Sequence, residues 1–435
     1  MTAEHWGDQD DHLSPHQTAV IVGTGLAGGN AAATLREEGW RGRIVMLGDE
    51  PGIPFGRPPL SKTYLRGEEG LGGWLVKPAE WYGDSGVELR TGVTVQGVDT
   101  KLKQLTLTGG DTVAYDKLLL CTGGQNRRLD VPGADMPGVY HLRTLAESDA
   151  IRRAAQPGAR AVIVGMGFIG SEVAASLRQL GLEVTAVLSG TAPLAAVVSN
   201  QVGEVMAGIH RGHGVQLVTE DQVAGFEGTR QLERVVTAKG ARIECDLAVV
   251  GIGIEPAVEA FRGGQIALDN GILVDETCRT NAPDVYAAGD VANHLHPVFG
   301  RLRVEHYNNA EKQGRAAARA MLGDLRPYDD IHSFWSDQYE HKLEYVGFAR
   351  AWDQIVIRGS LAHTQFLAFY LVKGVMKAAL GLNRGGDPEV DADGELRACQ
   401  RLIRARTALS EATLADDQVD LGSLAAVAGG SDPGR

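Results

Sequence analysis

The feature that most constrains this chain is a glycine pattern that occurs twice, each time where a short β-branched run gives way to a helical one. Residues 18–40, TAVIVGTGLAGGNAAATLREEGW, place Gly23, Gly25 and Gly28 between the run and an alanine-rich segment. Residues 159–188, ARAVIVGMGFIGSEVAASLRQLGLEVTAVL, repeat the spacing with Gly165, Gly167 and Gly170. Each pattern continues into a second apolar strand, residues 43–47 in one case and 183–188 in the other, which completes a βαβ unit of about 30 residues. The first glycine makes the tight turn and the second lets backbone approach a pyrophosphate. The third lets helix and strand pack closely, while the helix N-terminus holds the negative charge. One such pattern means little in a chain with 57 glycines. Two in the same strand-to-helix context predict an internal duplication and a pair of dinucleotide sites.

Length and charge narrow what surrounds those sites. At about 150 residues per domain, 435 residues suggest roughly three domains. With 42 Lys and Arg against 55 Asp and Glu, the net charge of −13 has the wrong sign for a broad nucleic-acid face. No nucleic-acid partner is expected. The longest apolar stretch, residues 367–382, is interrupted by Lys373 and Lys377 and falls short of the roughly 20 residues that span a bilayer. The N-terminal MTAEHWGDQDDHLSPH is acidic where a secretion signal needs a basic start and an apolar run. No membrane association and a cytoplasmic location are the expectation. Cys121, Cys245, Cys278 and Cys399 stand far apart, with no CxxC and no zinc pattern. They read as buried thiols, and no metal site is expected.

A third signal lies in residues 280–292, TNAPDVYAAGDVA, where a short strand runs into Gly289 and Asp290. A glycine and an acid at a strand end can bring a carboxylate to a polyol. Composition alone does not separate this from an ordinary Gly-Asp turn.

Taken in order, these motifs resemble the FAD-dependent pyridine nucleotide oxidoreductases, and within them the ferredoxin reductases that serve oxygenases and cytochromes P450. The distinguishing string is PFGRPPLSKTYL, residues 54–65, and CTGG at 121–124, GIGIEP at 251–256, EHYNNAEKQGRAAA at 305–318 and SFWSDQY at 333–339 support it. The resemblance implies an α/β fold: two Rossmann-like dinucleotide-binding domains plus a C-terminal α+β interface domain. It divides the chain into a split FAD-binding domain (17–130 and 257–325), an NAD(P)H-binding domain (131–256) and an interface domain (326–435).

The same resemblance implies roles. Gly23, Gly25 and Gly28 would face the FAD pyrophosphate, and Asp49 or Glu50 would take the adenosine ribose. Arg57 would lie near the cofactor and Lys62 against the flavin ring. Thr122 and Gly123 match a strand end that touches FAD, and Asp290 matches the residue that binds the ribitol chain. In the second unit, Gly165, Gly167, Ile169 and Gly170 would hold NAD(P)H. Glu172 matches a glutamate near nicotinamide and flavin. Tyr307 stands where many relatives have a tryptophan, and Trp335 and Gln338 would line the flavin pocket.

Lacking a paired redox cysteine, the chain cannot pass electrons to an adjacent disulfide. The resemblance then implies a hydride taken from NAD(P)H and single electrons released to a ferredoxin-type iron-sulfur protein. Lys62 would assist by its charge, with Glu172 as its candidate partner. Arg57, Lys62, Arg301 and Arg303 are candidate cations for an acidic partner. A monomer or homodimer is expected. Two rival readings are a flavin oxidase or quinone reductase with a small acceptor, and a redox-sensing interaction protein resembling apoptosis-inducing factor. The choice between NADH and NADPH stays open, because Leu188, Ser189, Gly190 and Thr191, with the uncharged Ala195 and Ala196 beyond, replace the usual acid or arginine.

Overall fold

The computed structural model describes residues 15–429. Most of the acidic N-terminal segment and the last six residues of the 326–435 segment lie outside the described residues. The chain forms two compact units, the first made of the chain up to Arg57 with Leu71–Gln125 and Glu255–Asp330, the second of Pro58–Gly70, Asn126–Ile254 and the chain from Ile331.

The first unit is built on a five-stranded parallel sheet in the order Val285–Ala287, Lys117–Leu120, Thr18–Val22, Arg43–Leu47, Val87–Arg90. A parallel sheet covered on both faces needs apolar residues at every position, which is why its central strands are continuous aliphatic runs. Ala19, Ile21, Ile44 and Met46 point to one face and join a core with Ala31, Leu35, Ala317 and Met321. Val20, Val22, Val45 and Leu47 point to the other and meet Val113, Tyr115, Ile272 and Val274. The helices Leu26–Glu37 and Tyr307–Met321 cross closely on the first face. A Cβ at Gly314 would stand 2.3 Å from the Ala27 carbonyl oxygen, so only glycine permits that approach.

The second unit repeats the design with Gln216–Val218, Glu183–Val187, Arg160–Val164, Leu247–Val250 and Val139–His141, again all parallel. It also carries an antiparallel sheet in the order Ser333–Gln338, His341–Gly347, Val375–Leu382, Gln365–Val372, Gln354–Ser360. The apolar stretch 367–382 thus becomes two buried strands joined by the turn Lys373-Gly374. Both turn residues have positive φ, 51° and 75°, as a two-residue hairpin requires. Helix Glu395–Ala405 lies on this sheet through Leu396, Leu402 and Ile403. Arg358, 1% exposed, ties the edge strand to the C-terminal helices by donating to the Leu414 and Asp416 carbonyls and pairing with Glu395. No described helix is long and apolar enough to cross a membrane. Among the described residues no cluster of His, Cys, Asp or Glu could hold a metal.

Candidate functional site

The two glycine motifs form matching cradles, one in each unit. In the first, Gly23 (φ 115°) lies so close to the neighbouring strand that a Cβ would stand 2.1 Å from the Cys121 carbonyl oxygen. A Cβ on Gly28 would stand 2.1 Å from the Gly23 oxygen, while one on Gly25 would meet nothing within 4 Å. The second cradle follows suit: Gly165 (φ 91°) is pressed against Gly251, Gly170 against Gly165, and Gly167 faces open space. Both helices, Leu26–Glu37 and Phe168–Gln179, start on that middle glycine with no side-chain cap. Their first amides are therefore available to an anion beside a gap that no side chain fills, an arrangement that fits a pyrophosphate.

Around the first cradle, Thr24, Gly25, Glu50, Ile53, Phe55 and Arg57 line a cleft. Arg57 forms a bidentate pair with Glu50 across it. Glu50 is thus the partly buried acid of the Asp49–Glu50 pair, and Asp49 is exposed. Thr122 donates to the Ala257 carbonyl at 2.7 Å, and the Ala257 amide donates to Gly123 at 3.0 Å. These bonds fix the strand end beside Gly23. Gly289 (φ 79°) makes the turn that seats Asp290, its amide bonded to Gln313 at 2.9 Å. Asp290 is 9% exposed and faces His306, whose imidazole burial pushes down to about 4 against the opposing pull of Asp290. Tyr307 opens the next helix and packs edge-on against Trp74 at 6.0 Å. The donor and acceptor set of this half suits the ribose, pyrophosphate and polyol of FAD.

In the second unit the prolines of RPPLSK do local work. Pro58 and Pro59 open a short 3₁₀ turn over Pro58–Ser61, since proline presets φ for such a turn. The Lys62 amide closes it on the Pro59 carbonyl at 2.9 Å. Ser148 and Ser176 hold the turn by donating to the Leu60 and Ser61 carbonyls at 2.8 and 2.7 Å. Lys62 is thereby aimed at the first turns of Phe168–Gln179, where its Nζ lies 2.7 Å from Glu172 Oε2. Glu172 is 3% exposed and also accepts from Ser61 Oγ at 2.5 Å and Ser336 Oγ at 2.7 Å. Asp337 is close enough to feel both charges. Burial holds its carboxyl above the usual carboxylate range, Lys62 pulls it down, and Glu172 pushes it up. Ile169 is exposed beside Gly167, and Trp335 is half-buried. Gln338 is buried, and its amide bonds Ser336 and His210, so it serves the Glu172 carboxylate's surroundings.

Ser61, Ser336, Asp337 and His210 were not expected. Ser61 lies inside the RPPLSK string and Ser336 and Asp337 inside SFWSDQY, where nothing in the sequence marks them as neighbours of Lys62 and Glu172. Nothing local marks His210, which sits in the last turn of the helix Asn200–Gly212. Just beyond the strand Glu183–Val187, Leu188 is buried with its amide on the Val218 carbonyl at 3.0 Å, and Ser189 is exposed. The exposed Glu220 is bonded to that loop through its amide, 2.9 Å from the Gly190 oxygen. All four cysteines are buried free thiols. Burial pushes the Cys245 thiol up to about 12 and the other three higher still.

Residues 17–314 match the family described as pyridine nucleotide-disulphide oxidoreductase, and residues 333–425 match the reductase C-terminal family. The chain is 37% identical over 400 residues to the biphenyl dioxygenase system ferredoxin–NAD(+) reductase component of Paraburkholderia xenovorans, covering 92% of this chain and 96% of that one. It is 35% identical over 406 residues to rhodocoxin reductase of Rhodococcus erythropolis, covering 92% and 93%. Its fold matches the reductase in the covalent putidaredoxin reductase–putidaredoxin complex with a TM-score of 0.90 at 33% identity, over 95% of this chain and 99% of that one.

Proposed function

Because this chain belongs to the pyridine nucleotide-disulphide oxidoreductase family and carries its reductase C-terminal domain, we propose that it draws a hydride from NAD(P)H and delivers single electrons to a small iron-sulfur protein of the ferredoxin type. Its cofactor is FAD and its donor NAD(P)H, as in the family. The observation that carries the reading is the pair of empty-centred glycine cradles together with a buried Lys62–Glu172 pair and no two cysteines in partnership. Relatives named for ferredoxin, rhodocoxin and putidaredoxin systems support the partner class.

When bound, FAD supplies the exchange between two-electron and one-electron chemistry. The residues do the rest. Gly23, Gly25 and Gly28, with the amides of the helix they open, hold the pyrophosphate. Glu50, paired with Arg57, takes the adenosine ribose, and Asp290 takes the ribitol chain beside Thr122 and Gly123. Tyr307, packed on Trp74, excludes water from the FAD site. Gly165, Gly167, Ile169 and Gly170 seat the nicotinamide dinucleotide. Lys62, held by Glu172, presents its ammonium where negative charge gathers on reduction. The FAD part comprises 17–130 and 257–325, the NAD(P)H part 131–256 and the interface part 326–435.

The test is anaerobic reduction by NADH followed by an oxidised ferredoxin. Bleaching of the flavin followed by return of its colour supports the reading, and a flavin that stays bleached refutes it.

A further inference from the structure

We propose that Ser336, Gln338 and His210 are positioning residues, forming a one-way chain of hydrogen-bond donors that ends on the Glu172 carboxylate and so keeps Lys62 in place. The proposal rests on the reading above that the Lys62–Glu172 pair assists flavin reduction.

The direction of the chain follows from elementary valence. A Glu172 carboxylate paired with an ammonium is an acceptor only, so the 2.7 Å contact with Ser336 Oγ requires the serine to donate its one proton there. Ser336 Oγ must then accept across the 3.1 Å contact to Gln338, whose amide NH₂ therefore faces the serine. That leaves Gln338 Oε1 facing His210 Nε2 at 3.0 Å, where an oxygen can only accept, so His210 carries its proton on Nε2. His210 Nδ1 is then bare and accepts from the Tyr339 hydroxyl at 3.2 Å. The charge of one glutamate thus dictates, link by link, the tautomer of a histidine on another helix. Ser336, Gln338 and His210 are each at most 1% exposed, so water does not substitute for a lost link.

The opposite polarity exists on paper. With His210 protonated on Nδ1 and the Gln338 amide turned over, Ser336 would donate to Gln338 and Glu172 would lose a donor. The chain is therefore an orienting device with two settings, of which the ionised carboxylate selects one. It does not conduct protons, because the amide in its middle neither gains nor loses one readily. His213 stacks on Tyr339 at 3.6 Å and closes the far end.

The experiment reads the tautomer directly in the FAD-loaded protein. With ¹⁵N-histidine labelling, the His210 signals are identified by their loss in His210→Gln. The parent should show Nε2 protonated and Nδ1 bare. Ser336→Ala removes the link to Glu172, so the His210 signals should shift toward a mixture of tautomers, and flavin reduction by NADH should slow about tenfold at unchanged FAD content. His210→Leu should slow reduction as well. His210→Gln should restore it, because its amide still donates to Gln338. A parent His210 protonated on Nδ1 or on both nitrogens overturns the proposal, and so does an unaltered tautomer in Ser336→Ala. The tautomer does not depend on where Lys62 acts, so its failure sinks the chain alone. An unaltered reduction rate in Lys62→Met sinks the reading beneath it.

Discussion

Lys62 and Glu172 meet at 2.7 Å with both side chains nearly sealed from water, and the carboxylate has two further donors in Ser61 and Ser336. Lys62→Met leaves that carboxylate buried without its countercharge, a change that costs about 3 kcal/mol in comparable pairs. Denaturation should show that loss, and the double variant Lys62→Met with Glu172→Gln should recover part of it. Stopped-flow reduction by NADH should slow more than FAD content falls. Equal losses of rate and of bound FAD would assign Lys62 to cofactor retention alone.

The middle and last glycines of each cradle should behave differently. Gly25→Ala adds a methyl to open space in backbone geometry that alanine adopts, so the protein should fold while FAD affinity drops by about tenfold or more. Gly28→Ala forces a methyl onto the Gly23 oxygen and should lower expression and stability before binding is measured. Gly167→Ala should leave FAD content untouched and raise the dissociation constant for the nicotinamide nucleotide.

Three histidines make stability fall in mild acid. Burial pushes His210, His294 and His306 down to about 4 each. The unfolded chain protonates them near 6.5, so it binds more protons than the folded one between about pH 6.5 and 4. Their contribution is complete above 6.5 and is lost as pH falls, with each adding up to about 1.4 kcal/mol per pH unit to the slope. Urea denaturation at pH 7, 6 and 5 checks the slope and its sign.

Leu188 and Ser189 offer neither a carboxylate for the adenosine ribose nor a cation for a 2′-phosphate. Discrimination between NADH and NADPH should therefore stay within about tenfold, or about 1.4 kcal/mol. Leu188→Glu should shift it toward NADH. If stopped-flow reduction shows the parent already preferring NADH by several hundredfold, the selecting acid lies elsewhere, and the exposed Glu220 beside that loop is the first to replace.

Much of this was legible in order along the chain because local chemistry writes itself locally. The spacing of Gly23, Gly25 and Gly28 is a steric requirement of one turn, so it survives in the sequence whatever surrounds it. The RPPLSK string likewise marks a turn that proline stiffens. The chain behind Glu172 was not legible. Ser336 lies inside the SFWSDQY string, yet nothing there marks it as a partner of Glu172; the packing of its strand against Phe168–Gln179 does that, and the packing of the same sheet against Asn200–Gly212 gives His210 its partners. Gln338 sits in a recognisable string, yet its place facing inward at the strand end, where it bonds His210, decides its work. The apolar stretch 367–382 showed its length but not its form. In the sequence Lys373 and Lys377 read only as breaks in hydrophobicity, whereas Lys373 and Gly374 form the turn that folds the stretch into a hairpin.

The central claim is that electrons enter in pairs from a nicotinamide nucleotide and leave singly to an iron-sulfur protein without any cysteine of this chain taking part. The direct measurement is an anaerobic titration of the flavoprotein, as the parent and with all four cysteines replaced by serine. NADH is added first, then an oxidised ferredoxin in known amount, with flavin and iron-sulfur absorbance followed together. The account predicts flavin bleaching by NADH in both proteins, then recovery of flavin absorbance as about two ferredoxins are reduced per NADH. A flavin that stays reduced in the presence of ferredoxin, yet reoxidises with a quinone or oxygen, would contradict it, as would loss of ferredoxin reduction in a serine variant that folds and holds FAD.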